Sequence, residues 1–203
     1  MLKTFRESLC AGILITIGGT VFLSCENKTV GAVLFSVALL CICYKSYYLF
    51  TGKIGYIVEQ HKKQDFLNLA VGLFGNLIAT FLLGMLLRTV LPNIGERAAE
   101  MCSAKLAQFP LYTFIRGFFC GILMYLAVSI YKEKNSVLGI LFCVPVFILC
   151  GFEHSIADMF YLGASGIFSV KIIPFTALVV AGNTFGAIVL PLLKGVHTDE
   201  KQG

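Results

Sequence analysis

The sequence predicts an all-α membrane protein of six transmembrane helices, built as two inverted halves of three, with the second and fifth helices broken. Three observations carry this. The chain of 203 residues is 58% hydrophobic and only 13% charged, and its mean hydropathy is +0.86, far too apolar for a soluble surface. Its apolar residues gather into six blocks separated by polar connections. Two of those blocks, in corresponding places of the two halves, exceed the roughly 20 residues a span needs and are interrupted near their middles.

The first block, Leu9 to Leu23, follows Lys3 and Arg6 in the manner of a signal peptide. It is kept as a span because no small-residue cleavage pattern is convincing and a second block follows at once. The second runs from Thr29 to about Val58 and is interrupted at Lys45 to Gly55; the third is Phe66 to Leu87. A polar connection, "IGERAAEMCSAKLAQF", has the apolar spacing of a short amphipathic helix lying at the membrane face. The fourth block is Pro110 to Tyr131. The fifth, Val137 to about Val170, is interrupted at Glu153 to Asp158, and the sixth is Ile172 to Leu193. The spans then form one channel domain, 1–195, with halves at about 1–92 and 105–195 and a short cytoplasmic tail at 196–203.

An odd number of spans per half inserts the two halves in opposite orientations, and interrupted helices then meet near the bilayer midplane. Non-helical backbone survives there only when buried in protein or lining a cavity. With the N-terminus cytoplasmic, Lys3, Arg6, Lys62, Lys63, Lys132, Lys134, Lys194 and Lys201 lie inside, and Lys28, Arg88, Arg97, Lys105, Arg116 and Lys171 outside; both termini are then cytoplasmic. The net charge of +5 reports orientation and no nucleic-acid partner. The eight cysteines form no CxxC and no zinc-spaced Cys/His set, so neither metal nor cofactor is called for. A disulfide is an open question only for Cys25 and Cys102.

"FILCGFEHSIADMFYLG" places Glu153, His154 and Asp158 inside the fifth block, where ionisable groups are expensive. A histidine on a span's break faces a bundle interior or a pathway, and a pathway role is favoured over a satisfied core histidine. Glu153 reads as an acceptor for backbone N–H groups freed by the break, and Asp158 as a cap on the second half-helix. Lys45 either adds positive potential to a pore or snorkels to an interface. In "YYLFTGK", Thr51 offers a hydroxyl, and Gly52 and Gly55 permit a tight backbone excursion. Asn183, after Gly182 in the sixth block, reads on its own as a bridge between helices.

"GFEHSIADMF", "LFTG" and "VAGNTFGA", in this order and on these spans, resemble the signature of the formate/nitrite transporter family, and the resemblance covers nearly the whole chain. It implies a microbial inner-membrane homopentamer in which each protomer has six spans, an aquaporin-like inverted repeat and its own pore. The substrates it implies are small monovalent anions or their acids: formate, nitrite, hydrosulfide, acetate or lactate. By position, His154 is the central pore histidine and Thr51 the loop threonine facing it. Leu49 and Phe50 stand at one constriction, and Phe35, Leu39 and Phe147 line the apolar pore. Lys105 is the vestibule lysine and Asn183 the sixth-span asparagine. The chain departs from the family's pattern at Asp158 and Gly121, where Asn is usual, and at Tyr48, where an acidic residue is usual. The resemblance also makes it a short member lacking most of the N-terminal interfacial helix. An aquaporin-like channel for neutral solutes is the nearest alternative. A receptor or membrane enzyme is more distant, because His61, His154 and His197 are spread over loop, break and tail and supply no catalytic set.

Overall fold

In the computed structural model, which describes residues 1–195, the chain is helical with no strand among the described residues. The expected tail, 196–203, lies outside them. Four helices are long and apolar enough to cross a membrane: α1 (Leu2–Ser24), α4 (Lys63–Val90), α6 (Pro110–Lys134) and α9 (Ile172–Lys194). They run one to several residues past their apolar blocks into polar flanks, since a helix continues while its end groups find water or a cap. Between them lie α2 (Lys28–Tyr44), the one-turn α3 (Phe50–Lys53) continued by a 3-10 helix (Ile54–Val58), α5 (Pro92–Leu106), α7 (Leu138–Leu149) and α8 (Ser155–Ser165).

Local chemistry sets several boundaries. The Asn27 side chain accepts from the amides of Thr29 and Val30 and starts α2. Proline at the first turn starts α5 and α6, where a missing N–H costs nothing. Gly166, at φ 67°, ends α8 in the left-handed conformation. The second block breaks at residues 45–49, and its positive φ falls on Ser46 (55°). The expectation placed on Gly52 and Gly55 is therefore corrected: both lie in helical backbone. Gly55 serves close packing instead, because a Cβ there would sit 2.8 Å from the Ala187 carbonyl oxygen. The fifth block breaks at residues 150–154, a little earlier than expected, and Asp158 is already inside α8.

The helices pack as two similar groups. α1 lies against α2 and α4; α6 lies against α7 and α9; α2 and α7 join the groups. Each short element crosses to the other group: α8 packs on α4 and α1, and α3 with its 3-10 helix packs on α6 and α9. Small residues allow these approaches. At Gly186 a Cβ would lie 1.8 Å from the Phe118 carbonyl oxygen, and at Gly163 2.2 Å from that of Phe81. The outer flanks keep large apolar residues exposed, among them Phe142, Ile173 and Phe185, as a lipid-facing surface requires. Cys25 and Cys102 are free thiols.

Candidate functional site

Residues 150–154 leave α7, turn at Gly151 (φ 68°), and present His154 as the N-cap of α8. The backbone freed by the break needs partners. His154 Nδ1 accepts from the Ala157 amide at 3.1 Å. Asn183 on α9 supplies most of the rest: its Oδ1 accepts from the Ser155 amide at 2.9 Å, and its Nδ2 donates to the carbonyls of Glu153 (2.8 Å) and Gly117 (2.9 Å). Asn76 on α4 does the same for the other break. Its Oδ1 accepts from the Phe50 amide at 2.9 Å, and its Nδ2 donates to the carbonyls of Tyr48 (2.9 Å) and Ser8 (2.8 Å). Each asparagine ties one non-helical segment to the first helix of its own group.

Two expectations are corrected here. Glu153 does not tether the broken backbone; its carboxylate accepts from Lys105 Nζ and, at 2.8 Å, from Gln108 Nε2. Asp158 does not cap α8, because His154 does; Asp158 Oδ1 lies 3.0 Å from Lys105 Nζ, and its Oδ2 is buried without a partner. Burial works to lower the Lys105 pKa, but the adjacent Asp158 and Glu153 carboxylates outweigh it and hold it above its ordinary value. Lys105 is thus the one cation of a largely buried three-member ion cluster and not a solvated charge on the connecting helix. Asn183, expected on the pathway from the resemblance, is wholly buried with both side-chain atoms bonded to backbone, so it acts as a strut, as its residue type alone suggested.

The two breaks meet at Thr51 and His154, whose Oγ1 and Nε2 are 2.9 Å apart. Because Nδ1 already accepts from an amide, the ring proton resides on Nε2 and is donated to Thr51 Oγ1. A second proton on Nδ1 would oppose the Ala157 N–H, so the capping imidazole is neutral. Phe147 stacks on the His154 ring (centroids 5.5 Å apart, 24° between planes), and Phe35 meets Phe147 edge-on at 6.2 Å. Phe35, Leu39, Leu49 and Phe147 are all buried in one core cluster. Phe50 is not with them; it packs in a separate cluster with Ile54, Leu69 and Ala187.

A cavity opens on each side of this plug. One, of about 360 Å³, reaches Phe147, His154, Glu153 and Asp158 and extends past Lys105 and Gln108 to Arg116 and Lys28. The other, of about 110 Å³, starts at Leu39 and Leu49 and ends at Lys53, Tyr131 and Lys132. They share no lining residue. Lys45 lines neither; it is exposed at the C-terminus of α2. Asn76, Gln108, Lys53 and the cavity role of Arg116 were not read from the sequence. Asn76 had a usable signal, since "GN" at Gly75–Asn76 repeats "GN" at Gly182–Asn183; the other three had none.

Comparison with known proteins agrees with this architecture. Residues 1–194 match the family model for formate/nitrite transporters. The chain is 29% identical over 179 residues to the uncharacterized transporter YwcJ of Bacillus subtilis (strain 168), covering 78% of this chain and 70% of that protein. Among solved structures it is similar in fold to a pentameric formate channel with formate bound (TM-score 0.79, 24% identity, 95% of each chain). It is also similar to an ion channel of the same family (TM-score 0.74, 20% identity, 95% of this chain and 87% of that one). The chain belongs to the formate/nitrite transporter family and is a multi-pass membrane transport protein, not an enzyme.

Proposed function

We propose that the protein conducts small monovalent anions of weak acids, of the formate, nitrite, hydrosulfide, acetate or lactate class, across a cell membrane, passing the constriction as the neutral acid. The observation that carries this reading is the Thr51–His154 pair, set in an apolar plug between two cavities that share no lining residue. The plug of Phe35, Leu39, Leu49 and Phe147 is hostile to a bare ion: an isolated charge in such surroundings costs tens of kcal/mol in the idealised limit. Protonating a carboxylate of pKa about 4 at neutral pH costs only about 4 kcal/mol. The anion therefore enters the cavity beside α5, takes up a proton near His154, crosses as HX and ionises again beside Lys53 and Lys132. The neutral His154 orders Thr51 and offers polar contact in mid-plug, and is not itself an imidazolium donor.

The architecture that serves this is a single domain, 1–195, of six crossings in a 3+3 inverted repeat. The matched bonds of Asn76 and Asn183 support it. So do lengths: α7, with 12 residues, reaches about 18 Å at about 1.5 Å per residue, short of a hydrocarbon core of about 30 Å. The 11 residues of α8 complete the crossing. The second crossing is likewise α2 continued by α3 and the 3-10 helix. The distribution of Lys and Arg favours cytoplasmic termini in an inner or plasma membrane. The exposed apolar flanks fit lipid and sister protomers in a homopentamer, the assembly named for the solved formate channel.

The test is flux into liposomes of the purified protein, with formate, nitrite, hydrosulfide, acetate, lactate and glycerol. The expected result is saturable, pH-dependent uptake of at least one of the anions and none of glycerol. Glycerol flux without anion flux returns the protein to the neutral-solute class.

A further inference from the structure

We propose that Glu153 and Asp158 hold one transferable proton between them on Lys105, and that Asp158 presents it to the anion in the cavity beside α5. This rests on the transport reading above and names the proton source which that reading lacks. The capping His154 has none to give, since its single ring proton is donated to Thr51 and its other nitrogen is committed to the Ala157 amide.

The cluster itself asks for a proton. Two carboxyl groups, both nearly inaccessible to water, contact a single ammonium group. One carboxylate neutralises Lys105; the second is an uncompensated buried charge, which a protein relieves by protonation. The hydrogen bonds say where the proton sits. Both Glu153 oxygens already accept, from Lys105 and from Gln108. Asp158 Oδ1 faces Lys105 at 3.0 Å, whereas Oδ2 is buried with no partner. A proton on Oδ2 turns that orphan acceptor into a donor, and Asp158 lines the same cavity as His154. The other titratable groups around it are Cys102 on α5, Cys120 on α6 and Tyr161 on α8; Arg116 and Lys28 stand farther out at the cavity's rim. Phe22 of α1 lines the same cavity and is apolar, and Asn183 of α9 meets the break with a neutral amide.

The step balances simply. The Asp158 O–H bond breaks as an H–X bond forms; HX moves into the plug and Asp158 remains as carboxylate. Water at the rim returns a proton to it, so one proton travels with each anion. No electron is transferred.

The experiment has two readouts on the intact pentamer. Infrared difference spectra of wild type against Asp158→Asn, at neutral pH without substrate, test the proton alone. Asn keeps the shape and leaves Glu153 and Lys105 as a charge-neutral pair. The expected result is a protonated-carboxyl C=O band in wild type that vanishes in the variant. No such band in wild type, or one that survives in Asp158→Asn, overturns the proposal whether or not the protein transports anything. The second readout is calorimetric binding and liposome uptake of formate, or of another anion of the class if formate is not taken up. The amide still donates a hydrogen bond but carries no labile proton. Binding should stay within about twofold, while uptake at neutral pH falls about tenfold, about 1.4 kcal/mol at the barrier. Unchanged uptake with an unchanged pH profile overturns the delivery step. Uptake that requires sodium in wild type and loses that requirement in Asp158→Asn assigns Oδ2 to a metal cation and overturns it too.

Discussion

At the scale of single residues, His154 has two jobs that substitutions can separate. Its Nδ1 caps α8 and its Nε2–H engages Thr51. His154→Asn keeps a cap acceptor, whereas His154→Phe loses it, so the Phe variant should unfold in detergent at about 1 kcal/mol lower stability than the Asn variant. Both should lose proton-coupled uptake while remaining assembled. Equal stability would refute the cap, and wild-type flux in either well-folded variant would remove His154 from the pathway. Lys105 answers differently. As the shared partner of Glu153 and Asp158, it cannot be replaced by Glu without leaving three carboxyl groups together in a buried site. Lys105→Glu should be destabilised by about 3–5 kcal/mol, measured by thermal unfolding of the detergent-solubilised protein. A variant as stable as wild type would show that the cluster is not closed in solution. Loss of uptake in Lys105→Glu is therefore not a measure of electrostatic attraction.

At the scale of elements, the two asparagine struts do equivalent work on the two broken segments. Removing either side chain leaves one amide and one carbonyl of the break without partners in a dry interior, at about 1–3 kcal/mol for each group left unsatisfied, while the helical carbonyl of Ser8 or Gly117 keeps the amide one turn on. Asn76→Ala and Asn183→Ala should therefore lower stability by similar amounts, each several-fold more than Thr184→Ala, whose hydroxyl only returns to the Val180 carbonyl one turn back. A mild effect at one asparagine and a severe one at the other would show that the two struts are not equivalent. Much of this level was legible beforehand. The six apolar blocks all fall on helices, beginning with α1, α2, α4, α6, α7 and α9, and helix lapses at residues 45–49 and 150–154. What composition could not supply was the partner of each polar group. Thr51 meets His154 across 103 positions, and Lys105 meets Glu153 across 48. Nothing local in the sequence marks α5 as passing over Glu153, so from sequence it reads as a partner for its nearest backbone. The resemblance puts Asn183 on the pathway, although a buried amide with a donor and an acceptor is better suited to strutting a break.

At the scale of the whole molecule, the charge that an approaching anion meets is set at the cavity's rim and not at its floor. With one proton held, the trio of Lys105, Glu153 and Asp158 is neutral as a unit, and its field falls off quickly with distance. Arg116 and Lys28 line the same cavity, are exposed, and have no carboxylate partner among the described residues. Exposed like charges at a concave mouth raise the local concentration of the opposite ion, and salt weakens the effect because the Debye length is only about 10 Å at about 0.1 M. Their positions were legible in the sequence only as counts toward membrane orientation. That Arg116 also borders the cavity follows from the packing of α6 beside the break, where its own carbonyl receives the Glu153 amide. Arg116→Gln combined with Lys28→Gln should lower anion uptake severalfold at low ionic strength, and the difference from wild type should close as salt is raised. Stability should change little, since neither side chain is buried. The infrared carboxyl band should also be untouched, because the side chains of the trio bond to one another and to Gln108, and neither rim side chain bonds to them. Uptake curves that coincide with wild type at low salt would place the attracting charge elsewhere. A deficit that persists undiminished at high salt would show that Arg116 or Lys28 contacts the anion directly instead of acting through its field.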